Sequence, residues 1–124
     1  MRRAIKRLGT FPVDGKGSQW GEGFEPLPGE FVPTGRTGGS AFSGSNLDVY
    51  LRVNRIDTIL IAGFALHVCV ESTLRAGHDL GYDCLVVTDA TAAFSAEQWA
   101  HVFDNVVHHY GELVSLAQIK AQLG

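Results

Sequence analysis

Of the two cysteines in this 124-residue chain, Cys69 stands where an apolar run, DTILIAG, gives way to a helical pattern, FALHVCVESTLRAGHDL. A side chain at that junction lies just past the carboxyl end of a strand, in the first turn of the next helix. Open parallel sheets bind their ligands outside that end of their strands. A helix N-terminus carries about half a positive charge, which favours thiolate over thiol. Its free amides can also hold the oxyanion of an acyl transfer. The position therefore suits a nucleophile. It suits equally well a small hydrophobe packed beneath a helix, a common use of cysteine, and position alone leaves both readings standing. Cys84, within or beside a second apolar run, DCLVVTDA, reads as a buried and inert thiol.

Other residue sets offer less. His67 is close to Cys69 in sequence, but residues two apart on a helix project to different sides. His101, Asn105 and His108 share a helix face at i, i+4 and i+7. That spacing could bind a metal, yet nothing else with ligand spacing accompanies it. No metal and no other cofactor is expected. The segment TGRTGGSAFSG is glycine-rich without the Gly-Lys-Ser/Thr ending of a phosphate loop. Neither Ser43 nor Ser45 sits in a Gly-x-Ser-x-Gly elbow.

The elements that must position Cys69 follow from periodicity. The first 45 or so residues are dense in Gly and Pro, which marks loops and turns, with one short extended candidate over 31–34. Trp20, Phe24, Phe31 and Phe42 are too many aromatics for a disordered linker, so this region reads as an ordered loop. Anchoring to the body is the expected role of Trp20, Phe24 and Phe42, with walling a pocket the alternative.

From 46 onward the pattern is regular. NLDVYLRVNR is a short helix with Asn46 or Ser45 as N-cap. DTILIAG is a continuous apolar run, the pattern of a strand buried on both faces. A helix over about 67–80 ends at Gly81, and DCLVVTDA is a second buried strand. SAEQ offers a capping box for a helix whose stripe is Trp99, Val102, Phe103, Val106, Val107 and Tyr110. ELVSLAQIKAQL reads as a short strand running into a last helix. Strand, helix, strand, helix, strand requires parallel pairing with right-handed crossovers, so the class is α/β, in one domain.

Composition bounds the partners. Apolar residues make up 45% and charged residues 19% of the chain, which reads as globular. A net charge of -3 gives no reason to expect nucleic acid. No stretch approaches the ~20 apolar residues of a membrane span, and MRRAIKR lacks the apolar stretch of a signal peptide. Two cysteines make no disulfide framework. A soluble cytoplasmic protein is expected.

The segment IDTILIAGFALHVCVESTLRAGHDLGYDCLVVTDATAA resembles the nucleophile region of the isochorismatase-like cysteine hydrolases, which include nicotinamidases, N-carbamoylsarcosine amidases and isochorismatases. The residues that carry the resemblance are Gly63, Ala65, Cys69, Val70, Gly81, Tyr82, Asp89 and Ala90, with SAFSGSNLDVYLR upstream matching a Ser-Ala-Phe segment before a short helix. The likeness runs over about 28–118. It implies a Rossmann-like three-layer α/β/α fold with a parallel sheet. It also implies attack by Cys69 on the carbonyl of a small amide, giving a thioester that water then hydrolyses. A cis peptide would fall at Phe64–Ala65, with the amides of Ala65 and Cys69 as oxyanion donors. Phe42, Phe64 and His67 would lie nearest the substrate.

The resemblance also implies parts that this sequence does not display. Its members open with a buried strand ending in a catalytic Asp, and carry a Lys before the Ser-Ala-Phe segment. Here the usual N-terminal strands are expected to be lacking, and Arg36 stands nearest the place of the Lys, although the two side chains are not equivalent. Asp14, Glu22, Glu25 and Glu30 are the loop acids from which a proton carrier would have to come. A sheet without its first strand leaves edges unpartnered, so a homo-oligomer is expected. Two functions stand: a cysteine hydrolase acting on a small amide or related C–N bond, or a catalytically degenerate relative serving as an oligomeric binding or structural module.

Overall fold

A computed structural model describes Pro12 and residues 15–124. The chain divides into two compact units, Met1–Val32 and Pro33–Gly124. In the first, Lys16–Ser18 forms one 3-10 turn, and Trp20 and Phe24 are exposed. The carboxylates of Glu25 and Glu30 accept the amides of Gly23 and Leu27 and so close local turns. Asp14 lies outside the described residues. The extended segment expected over 31–34 is not a strand.

The second unit holds the sheet. In chain order it contains α1 (Leu47–Val53), β1 (Thr58–Phe64), a π-turn (Leu66–Val70), α2 (Glu71–Asp79) and β2 (Asp83–Ala92). There follow α3 (Ala96–Asn105), α4 (Val107–Tyr110), β3 (Glu112–Val114) and α5 (Leu116–Leu123). The sheet order is β1-β2-β3, parallel throughout, which is the α/β class expected. Residues 34–45 belong to this unit, since Thr34 N donates to Asn46 Oδ1 and Ala41 N to Thr73 Oγ1. Asn46 is the N-cap position of α1, but its side chain is spent on Thr34 rather than on the helix.

Alternation along the strands separates two faces. Ile61, Cys84 and Val86 turn to one, where Leu66, Val70, Leu74, Val102, Phe103, Val106 and Val107 complete a contiguous core. Val87 and Val114 are paired in register and buried on the other face, and α5 follows β3 directly. Its N-terminus carries a full capping box between Ser115 and Gln118. The box foreseen at Ser95 and Gln98 is half made: Ser95 Oγ accepts Gln98 N.

Two expectations about elements need correction. The apolar stripe faces the core from Val102 to Val107, with Tyr110 packed against it, but Trp99 at its start is exposed and the helix is interrupted at Val106, where φ is -119°. β1, read as buried on both faces, is mostly exposed, with Leu60 at 51% and Phe64 at 59%. The apolar run is real, but among the described residues β1 pairs only with β2 and forms the edge of the sheet. A run of apolar residues reports what a strand could bury, not how many neighbours it has.

Close approach of α2 to the sheet depends on Gly77. A Cβ there would sit 2.8 Å from Cys84 Sγ and 3.1 Å from Ile59 Cδ1. The helix ends at Leu80, and Gly81 follows at φ +89°, as a left-handed C-terminal turn requires.

Candidate active site

The end of β1 and the start of α2 build the site together. The peptide Phe64–Ala65 is cis. From Ala65 the chain turns directly into the π-turn, and the Ala65 carbonyl accepts from three successive amides, Val68 at 3.0 Å, Cys69 at 3.1 Å and Val70 at 3.3 Å. Cys69 is thus held in the first turn after the strand, as its place in the sequence predicts. The Cys69 N–H is directed at Ala65 O, a bond with which its expected service as an oxyanion donor would compete.

Arg36 arrives from the loop before α1. Its Nε donates to Gly38 O at 2.9 Å and its Nη2 to Gly39 O at 3.0 Å. The same Nη2 lies 3.4 Å from Cys69 Sγ. Two backbone carbonyls therefore aim a planar cation at the sulfur across 33 positions of sequence. The loop is closed by Thr37 N donating to Ser43 O and by Phe42 N donating to Ser40 Oγ. Arg36 and Cys69 both line an open groove of about 530 Å³ that runs along β1 from Thr58 to Phe64 and reaches Thr73 on α2.

Three expected site residues occupy different roles. Phe64 lines the groove, and its ring meets Phe94 edge-on at 4.8 Å. His67 also packs edge-on against Phe94, at 5.3 Å, and its buried Nδ1 has no hydrogen-bond partner among the described residues; it is absent from the groove lining. Phe42 stacks on Tyr82 at 5.6 Å and packs against the core, its ring over the backbone of α2 at Gly77, and it is not among the residues that line the groove. The anchoring role expected of the loop aromatics is carried by Phe42.

Of the other candidates, Cys84 is 3% exposed, and burial foremost, with Asp83 beside it, pushes its thiol up to about 11. His101, Asn105 and His108 gather no ligand set: among the described residues no three His, Cys, Asp or Glu groups could hold a metal ion. Asp89, near the end of β2, accepts the amide of Leu116 and so ties β2 to the start of α5. Sequence reasoning missed Thr73, four residues after Cys69, and Phe94; the i, i+4 spacing was the available signal for the first.

A parallel sheet with a cysteine in the first turn after a strand end matches the fold that the resemblance implied. The chain belongs to the isochorismatase family: the isochorismatase domain matches residues 2–118. Its fold is similar to that of an isochorismatase-like hydrolase from Alkaliphilus metalliredigens, with TM-score 0.87 at 22% identity, over 98% of this chain and 66% of that one. It is also similar to the nicotinamidase PncA of Bacillus subtilis, with TM-score 0.61 at 26% identity, over 64% of this chain and 44% of that one. In sequence, the ureidoacrylate amidohydrolase RutB of Caulobacter segnis is 37% identical over 102 residues, covering 81% of this chain and 42% of RutB. The chain spans about two-fifths of the length of the curated relatives it matches. Among the described residues, no helix is long and apolar enough to cross a membrane.

Proposed function

We propose that this chain is a cysteine hydrolase acting on a small amide or related C–N bond. The observation that carries the reading is the contact of Arg36 Nη2 with Cys69 Sγ, at the end of β1 on a groove open to a small molecule. Cys69 Sγ attacks the carbonyl carbon, and the oxyanion of the tetrahedral adduct is received by the Ala65 amide. The C–N bond breaks, the amine leaves with the proton that the Cys69 thiol gave up on attack, and an acyl thioester remains on Cys69. Water adds to that thioester and releases the acid and the thiol. Arg36 stabilises negative charge on sulfur before attack and as the thiol leaves. Phe64 walls the groove beside the sulfur. The amidohydrolase and nicotinamidase names of two relatives support an amide over an ester as substrate.

The experiment is a screen of small primary amides and ureido compounds, with mass spectrometry of the protein during turnover. An acyl adduct on the peptide containing Cys69, and loss of turnover in Cys69→Ser, are expected. Hydrolysis that survives in Cys69→Ser removes the nucleophile, and a reactive thiol without turnover on any of these substrates favours a binding module.

Among the described residues the outer edge of β1 is unpaired, which supports a homo-oligomer. Thr58–Phe64 contains no charge and no proline, the residues that usually protect an edge. A second copy could extend the sheet by pairing its own β1 antiparallel across a two-fold axis, since such an interface is self-complementary.

A further inference from the structure

The contact between Arg36 and Cys69 joins two segments that share no secondary structure, so something must hold the loop in place over the sulfur. We infer that the Thr73 hydroxyl is the positioning group that holds the Arg36 loop over Cys69, an inference that rests on the reading of Cys69 as a nucleophile.

Thr73 lies one turn after Cys69. Its Oγ1 donates to Cys69 O at 2.7 Å and accepts Ala41 N at 2.9 Å. One hydroxyl thus uses its proton and a lone pair at once, bridging the backbone of the nucleophile to the backbone of the loop. From Ala41 the loop is closed by Thr37 N on Ser43 O, and the carbonyls of Gly38 and Gly39 fix the Arg36 guanidinium. The guanidinium returns to Cys69 Sγ. The connections form a ring that begins on the carbonyl of Cys69 and ends on its sulfur. Loop and helix also approach closely at Gly39, where a Cβ would lie 3.4 Å from Ser72 Oγ.

Arg36 itself is exposed. Fixing an arginine side chain costs rotamer freedom, and an exposed charge contact gains little in return. The contact with Cys69 therefore cannot hold the loop unaided. Thr73, part-buried between the two segments, supplies bonds that do not depend on the state of the sulfur.

The test measures Cys69 alkylation in the Cys84→Ser background with two reagents of similar size, neutral iodoacetamide and anionic iodoacetate. The iodoacetate-to-iodoacetamide rate ratio reports the positive charge beside sulfur, which a general loss of packing would not move selectively. Thr73→Val, which keeps the shape and removes the hydroxyl, is expected to lower the ratio about two- to five-fold, the range of exposed charge pairs. Arg36→Ala should lower it equally, and the double variant no further, since both act through one group. Thr73→Ser should restore the wild-type ratio. If Thr73→Val does not fold, Thr73→Ala carries the same expectation. A ratio unchanged by loss of the hydroxyl, or losses that add in the double variant, overturns the inference. Neither outcome bears on amide turnover, so a failure here is separable from a failure of the hydrolase reading.

Discussion

Arg36 Nη2 lies 3.4 Å from Cys69 Sγ while also donating to Gly39 O at 3.0 Å. The cation is shared between a fixed carbonyl and the sulfur, so it is already oriented before any substrate binds. A preorganised cation of this kind is what the proposed attack by Cys69 would use without reorganisation during the reaction.

Replacing Arg36 should therefore slow the chemistry of Cys69 without unfolding the protein, because the side chain is exposed. Arg36→Ala is expected to slow carboxymethylation of Cys69 about two- to five-fold. Arg36→Lys should fall between the two, since an ammonium keeps the charge but not the planar fork that reaches both Gly38 O and Gly39 O. Stopped alkylation time courses with peptide mapping make the comparison; equal rates in all three proteins would detach Arg36 from the site.

Cys84 should behave as the opposite of Cys69. Its thiol is buried and held up to about 11, so near neutral pH the folded protein should take one alkyl group, at Cys69, and a second only on denaturation. The linkage has a definite sign. The folded value lies above the ordinary 9.0, so the associated stability is fully present below 9.0 and is lost as pH rises toward 11. Urea midpoints across that window should fall more steeply for the wild type than for Cys84→Ala, compared as slopes.

Gly77→Ala tests the approach of α2 to the sheet. The added methyl would meet Cys84 Sγ at 2.8 Å and Ile59 Cδ1 at 3.1 Å, both anchored in packed strands. Overpacking of this kind costs about 1–3 kcal/mol, against a gain of up to about 1 kcal/mol from helix propensity. A lower urea midpoint is expected, and a rise would show that the strands yield easily.

Leu60→Lys tests the bare edge of β1. Leu60 is 51% exposed, and a lysine there adds the charge that edge strands commonly use to resist pairing. The wild-type chain should sediment as an oligomer and the variant as a monomer with unchanged circular dichroism. A monomeric wild type would leave the edge to a partner other than a second copy.

The sequence carried most of the framework because its signals are local. The apolar runs at Thr58–Phe64 and Asp83–Ala92 and the stripe from Trp99 to Tyr110 mark which residues can be buried, and the structure buries that stripe from Val102 to Val107. Cys69 was legible as a candidate because a strand end followed by a helix start is written in neighbouring residues. Thr73 was not, since nothing in a lone threonine at i+4 shows that its hydroxyl reaches Ala41, 32 residues away. The break at Val106 and the use of Asn46 to hold Thr34 were equally hidden.

By itself, then, the sequence determined the α/β class, the order of the elements and the turn that presents Cys69. Tertiary structure decided which strand lies at the edge, that Phe42 belongs to the core rather than the groove, and that Arg36 reaches the sulfur. The physical reason is range. Periodicity and capping are set by residues within one or two turns of each other, whereas strand neighbours and loop-to-helix bonds depend on how distant segments pack.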